Sequence, residues 1–421
     1  MAQDYIALLV IVASAVLCPL VAHIVPRKIV PETVLLLVAG AVLGPNLLGI
    51  VQKTDIIHFF SQLGLAFQFL LAGYEIDPAR LHGAKGRKGL LTWFATFCLA
   101  LLAAWLVMDA QSNRLAFLAV AIAMTSTAFG TVTSILKDRK LEGTAIADCT
   151  LTYGVWGQLG PVVAIALLLS SRQAWQTVLL LVVLVAISLS IAIVAKRVRK
   201  GKTPLKRAIK AKGRASTQMF VRMVILLLVA LVAFSASFGL NIMLGAFAAG
   251  FIMRYILPKG HKRTETKLHG IGHGFFIPIF FVESGTRIDL AAIGLNPVML
   301  AACVAALIVV RAVPVFIAQS MGRRRRLARL RDRAAVSAYC ATALSIIVAV
   351  TAIAVDAGAL GQDTASVMVA AAAVSVLVMP LAAQLLHGTS CGEKSQRALP
   401  LQGSSNPNGA HVTGRRRRAS S

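Results

Sequence analysis

The sequence predicts an all-α polytopic membrane protein of about thirteen transmembrane helices, folded as two inverted-topology repeats with interrupted, crossing helices. Three observations predict this. The chain of 421 residues is 57% hydrophobic and only 14% charged, against roughly 45–50% apolar and 25% charged for a soluble domain. Apolar runs of about 20 residues recur from end to end, each able to cross a hydrocarbon core of roughly 30 Å. Short motifs also recur at one nearly constant offset.

Taken in order, the apolar runs fall at about 5–25, 31–50, 56–76, 89–108, 115–136, 145–170, 174–195, 217–236, 239–257, 272–286, 296–320, 334–356 and 363–386. The first reads as a retained helix rather than a cleaved leader. Several spans contain Gly or Pro, which membrane helices tolerate where neighbours or cavities satisfy the freed backbone. Residues 388–421 are rich in Ser, Gly, Pro and Asn and then basic. They cannot bury a core and read as a disordered tail.

A net charge of +27 raises the question of nucleic acid, and its distribution answers it. Loops after odd-numbered spans, with the tail, hold 37 of the 43 Lys and Arg residues. Loops after even-numbered spans hold only Lys53, Arg114, Arg172 and Arg287. The positive-inside rule then puts the N-terminus outside and the C-terminus in the cytoplasm of a plasma-membrane protein. The runs Arg323–Arg326 and Arg415–Arg418 also suit anionic lipid, at about 1 kcal/mol per residue near the surface. No folded domain or aromatic platform accompanies these charges, so no nucleic-acid partner is expected. The six cysteines form no CxxC pair or Cys/His cluster, so neither a disulfide framework nor a metal site is expected.

Ala72-Gly73-Tyr74-Glu75-Ile76-Asp77 aligns without a gap to Ser284-Gly285-Thr286-Arg287-Ile288-Asp289, an offset of 212. One span earlier, Val38-Ala39-Gly40 resembles Ala248-Ala249-Gly250, an offset of 210. The match pairs the third span with the tenth. Seven spans separate them, so the copies run in opposite directions, an arrangement characteristic of secondary transporters with a midplane site. Repeat one covers about 5–170, a linker helix 174–195, and repeat two about 217–387.

Charge inside a bilayer is costly, roughly 2.5–3.5 kcal/mol on insertion scales, so each instance is a functional candidate. Arg311 lies about ten residues from either end of its span and needs a carboxylate, an anion or a ring of carbonyls. Glu283 is bracketed by Pro278 and Gly285, where the helix is expected to be irregular. It reads either as a proton or ion carrier or as a carboxylate paired with Arg287 near the outer interface. The fifth span carries Thr125, Ser126 and Thr127 with Gly130, either around an unwound, ion-lining backbone or as small-residue packing. The sixth contains Gly157-Gln158-Leu159-Gly160-Pro161, which implies close packing or a break. Gln158 is its one strongly polar side chain near the centre and cannot titrate. His269 and His273 stand four apart in a basic loop. No nucleophile elbow, HExxH or Walker loop is present, so no enzyme and no cofactor is expected.

With these motifs assembled, the chain resembles the monovalent cation:proton antiporter-2 family, the sodium/hydrogen exchanger domain, over about 1–387. Val38-Ala39-Gly40-Ala41-Val42-Leu43-Gly44-Pro45 is similar to the family's second-helix pattern. Phe69-Leu70-Leu71-Ala72-Gly73-Tyr74-Glu75-Ile76-Asp77 resembles its F-L-A-G-L-E-L-D segment. Ser126-Thr127-Ala128, Leu244-Gly245-Ala246-Phe247-Ala248-Ala249-Gly250 and Pro278-Ile279-Phe280-Phe281-Val282 with Gly285 match further motifs, and Arg311 falls at a basic position of the family. The resemblance implies a homodimer built from a dimerisation bundle and a mobile core bundle, working by elevator-type alternating access. It implies exchange of Na+ or K+ for H+ at a sixth-span carboxylate. Counted without gaps, that carboxylate falls at Gln158. Another acid then has to substitute, with Glu283 the best placed on sequence grounds. Otherwise the chain is a permease, channel-like protein or sensor without proton coupling.

Overall fold

In the computed structural model the described residues are 2–24, 30–52, 54–107, 113–168, 215–256, 262–321, 327 and 329–387, with isolated positions between 175 and 190. The arginines 323–326, the tail 388–421 and most of the expected linker helix 174–195 lie outside them. All regular structure described is helical. Among the described residues, nine helical segments are long and apolar enough to cross a membrane, and two shorter apolar helices accompany them. With the 277–286 helix these account for every predicted span except the linker.

The chain begins with α1 (Ala2–Ile24), α2 (Glu32–Leu43) and α3 (Asp55–Glu75). Thr54 caps α3 by accepting from the Ile57 N–H, and the helix stops where Ile76 turns extended ahead of Pro78. A Pro disfavours helical backbone at the residue before it and so limits how far a helix can run. Then come α4 (Gly83–Val107), α5 (Arg114–Met124), α6 (Phe129–Asp138) and α7 (Ala145–Leu168). The second half contains α8 (Ala215–Ser237), α9 (Ile242–Ile256), α10 (Lys262–Ile271), α11 (Ile277–Thr286), α12 (Leu290–Leu295), α13 (Pro297–Ser320), α14 (Leu330–Cys340), α15 (Ser345–Asp356) and α16 (Gln362–His387). Between α10 and α11 the helix widens into one π turn, Gly272–Phe276. Pro278 follows it. A proline ring cannot sit against the carbonyl four residues back in a regular helix, and a widened turn relieves that clash.

The helices sort into two bundles. α1–α3 pack with α8, α9, α10 and α11, and α4–α7 pack with α13–α16. In the first bundle α2 lies on α11 and α3 on α9. Repeat symmetry exchanges α2 with α9 and α3 with α11, so these two contacts are one contact seen twice. Glycines from the repeated motifs sit at both. A β-carbon on Gly40 would overlap the Val282 carbonyl, and one on Gly285 the Leu37 carbonyl; likewise Gly73 meets the Phe247 carbonyl and Gly250 the Leu70 carbonyl. Without a hydrophobic drive between helices in lipid, such close backbone approach supplies the packing energy.

The second bundle contains the two interrupted helices. α5 and α6 are one span broken at 125–128, and α14 and α15 another broken at 341–344. The sixth span is not broken, contrary to the expectation at Gly157, Gly160 and Pro161. α7 runs through all three. Its glycines serve close packing instead: a β-carbon on Gly160 would overlap the Trp93 indole, and one on Gly157 the Arg311 guanidinium and Thr127 hydroxyl.

Candidate functional site

The two breaks meet in the middle of the second bundle. Broken helices leave N–H and C=O groups without intrahelical partners, and buried in a bilayer these must be satisfied locally. Each break helps to satisfy the other. The Ala128 N–H donates to the Thr342 carbonyl at 2.7 Å, and the Thr127 hydroxyl donates to the Cys340 carbonyl at 2.7 Å. The Thr127 N–H donates to the Gly157 carbonyl at 3.0 Å. That carbonyl is free because Pro161, four residues on, has no N–H to give it. The proline thus supplies an acceptor to the neighbouring break while its own helix continues. In the second repeat the Ser375 hydroxyl plays this part. It accepts from the Ala343 N–H at 3.3 Å and lies 3.0 Å from the Ala343 carbonyl.

Arg311 is 1% exposed and lies against this crossing. Its Nε donates to Thr127 Oγ1 at 2.9 Å and its Nη2 to the Tyr153 carbonyl at 2.9 Å. No carboxylate pairs with it among the described residues. A hydroxyl and a carbonyl hold the charge, so Arg311 ties α13 to the first break and to α7. Thr125 and Ser126 turn back on their own helix, donating to the Ile122 and Ala123 carbonyls at 2.8 Å each.

A cavity of about 460 Å³ runs from one face of the molecule between the two bundles to the crossing. Ala128, Gly130, Gln158 and Ser345 line its inner end, with Gln68 nearby; Glu32, Glu75, Asp138, His269 and His273 line the rest. Gln68 Nε2 donates to Ser345 Oγ at 3.3 Å. The two histidine rings stack at 5.4 Å, 11° from parallel. They belong to α10 and the π turn rather than to a loop.

Of the residues singled out in the sequence, Thr127, Gly157 and Arg311 meet at the crossing, and Gln158 and Gly130 line the cavity that leads to it. Gly130 lies within the first turn of α6 rather than at the break. Pro278 follows the π turn, and Gly285 sits within α11 at the α2 contact rather than at a break. Glu283 is elsewhere. It is buried near the opposite face, where its Oε1 accepts from Arg287 Nε at 3.0 Å and Nη2 at 2.8 Å. Its Oε2 accepts from the Ser61 hydroxyl at 3.0 Å. Arg287 Nη1 continues to Asp356 at 2.6 Å, which joins the two bundles. The structure therefore does not bring Glu283 to the cavity. The carboxylates that line the cavity are Glu32, Glu75 and Asp138, and Glu75 belongs to the repeated motif. Its Oε2 is buried without a hydrogen-bond partner among the described residues. The readable signal was its alignment to Arg287, an exchange of charge sign at one position of the repeat.

A family model described as sodium/hydrogen exchanger, transmembrane, matches residues 12–386. The chain is 27% identical over 304 residues to a putative Na(+)/H(+) antiporter, YjbQ, of Bacillus subtilis; the match covers 68% of this chain and 47% of that protein, so the chain spans about half its length. It is 26% identical to the Na(+)/H(+) antiporter NhaS4 of Synechocystis, over 74% of this chain and 80% of that one. Among solved structures, the sodium proton antiporter MjNhaP1 of Methanocaldococcus jannaschii superposes with a TM-score of 0.60 over 93% of this chain and all of that one, at 15% identity. The last likeness bears on the fold.

Proposed function

The chain belongs to the sodium/hydrogen exchanger family, and we propose that it exchanges a monovalent cation, Na+ or K+, for H+ across the membrane by alternating access. The observation that carries this reading is the cavity of about 460 Å³ that enters from one face and stops at the crossed breaks. A dead-ended polar path between two bundles is the form an alternating-access carrier takes in one of its states. The bundles meet on the far side through the Arg287–Asp356 pair, so an elevator movement has to break that pair and close the cavity. The excess of Lys and Arg in the loops after odd-numbered spans orients the cavity face to the cytoplasm. The first bundle, with its close glycine contacts, is the rigid partner and the natural surface for a homodimer.

A second reading is favoured by one observation: the crossing holds the guanidinium of Arg311, with the amide of Gln158 beside it, and no carboxylate among the described residues. On that reading the fold passes a solute without proton coupling. Purified protein in liposomes, with an imposed pH gradient and a cation series, separates the two. Exchange predicts that Na+ or K+ collapses the gradient; cation flux with the gradient untouched would replace the first reading with the second.

A further inference from the structure

We propose that Glu75 is the carboxylate at which proton and cation compete, in a site completed by the side chains of Gln68 and Gln158; this rests on the exchange reading above.

Glu75 ends α3 and its Oε2 is enclosed, without a donor, beside the cavity. A buried acceptor left unmet costs about 1–3 kcal/mol, and more when charged. Buried Glu283 meets this need with a fixed cation, Arg287 at 2.8 Å. Glu75 has none among the described residues, so the missing partner is one the cavity can deliver, a proton or a small cation. Space for the group is built in. Gly130 faces it, and a β-carbon there would lie 3.1 Å from Oε2, tight enough to push the carboxylate aside. Gln68 has its amide N–H engaged with Ser345, which leaves the amide oxygen as its ligand atom. Gln158 offers a second amide oxygen on the same cavity wall. Carboxylate and amide oxygens are the hard donors an alkali cation takes.

The charged groups around Glu75 favour a cation. Glu265 on α10 accepts from the Tyr74 hydroxyl next to it at 3.4 Å. Asp138 on α6 and Glu32 on α2 line the same cavity. Against them stand His269 and His273, Arg139, which is bonded to Gln384 at 2.7 Å, and Arg254, which lies over the Tyr74 ring. Glu75 also lies between bundles, on α3 of the first and against α6 of the second. Movement of the bundles therefore changes its surroundings. One proton leaves the carboxyl as one monovalent cation enters, so the charge of the site is the same in both states.

The test compares wild type with Glu75→Gln and Glu75→Asp in liposomes under a pH gradient with added Na+ or K+, and by thermal unfolding in detergent across a cation series. Wild type is expected to show cation-dependent collapse of the gradient and cation-dependent stabilisation. Glu75→Gln should lower both at least tenfold, and Glu75→Asp should keep exchange with a shifted pH profile. Wild-type exchange by a monodisperse Glu75→Gln overturns the assignment and leaves the exchange reading standing. Absence of both signals in wild type overturns the two together. If Glu75→Gln aggregates, the Glu75→Asp pH profile decides, and an unshifted profile counts against Glu75.

Discussion

On the Glu75 face the gap between the bundles is a cavity of about 460 Å³. On the opposite face the corresponding gap, between the end of α11 and the helices α15 and α16, holds about 20 Å³. Both are lined by the half-helix that follows a break, α6 on one side and α15 on the other. Both receive the last turn of a first-bundle helix, α3 or α11, carrying the same repeated motif. The difference follows from residues within that motif and around it. Where the first copy has Glu75, the second has Arg287. Arg287 reaches Asp356 at the end of α15. Glu75 has Asp138 at the end of α6 on its side of the cavity, a charge of the same sign that cannot bridge to it. Further links are added on the closed face: Gln362 donates to the Arg287 carbonyl, and the Asp289 N–H donates to Ser366 Oγ at 2.9 Å. An inverted repeat thus supplies two equivalent faces, and the charge at one position of the repeated motif differs between the open face and the closed one.

The largest expected effect comes from cutting the closed face at its centre. Arg287→Ala leaves Glu283 buried without its cation, and losing one partner of a buried pair costs about 3–5 kcal/mol. Thermal unfolding in detergent should drop accordingly. The double variant with Glu283→Gln should recover part of the loss, because no charge is then stranded.

The glycine contacts should show the symmetry that the faces lack. Gly40→Ala and Gly250→Ala each force a methyl group into a carbonyl of the neighbouring helix, and overpacking costs about 1–3 kcal/mol or more. Equal losses at the two sites would sharpen the comparison. A marked inequality would break the equivalence of the α2–α11 and α3–α9 contacts.

Asp356→Asn should matter least for stability. Its side chain is 49% exposed, and pairs of that kind contribute about 0–1 kcal/mol. Its effect should appear instead as increased solvent access to Thr351, read by hydrogen exchange along α15.

How far the sequence carries can be judged residue by residue. Hydropathy located the spans because lipid demands length and apolarity of each one separately. The inverted repeat was legible because the close helix contacts need glycine at fixed places. The fate of the sixth span was not. Gly157, Gly160 and Pro161 read equally as close packing or a break, and what preserves α7 is that the Gly157 carbonyl is taken by the Thr127 N–H, a bond between spans that periodicity does not record. Glu283 drew attention as an acid inside a span, yet its partner Arg287, four residues on, was visible in the same helix. Glu75 stands at the end of its span, where an acid is not distinguished by sequence from one at the interface. Its enclosure depends on α6 packing beside it, more than fifty residues away in the chain.

The two equivalent faces differ in openness, and site-directed thiol labelling measures that difference. In a chain whose six native cysteines are replaced, Ser134→Cys places a thiol on the α6 wall of the large cavity, and Thr351→Cys places one on the buried wall of α15. A bulky, water-soluble maleimide would be applied to membranes made leaky, so that both faces are bathed. Ser134→Cys is predicted to react at least ten times faster than Thr351→Cys. Equal rates, or faster reaction at Thr351→Cys, would contradict the account.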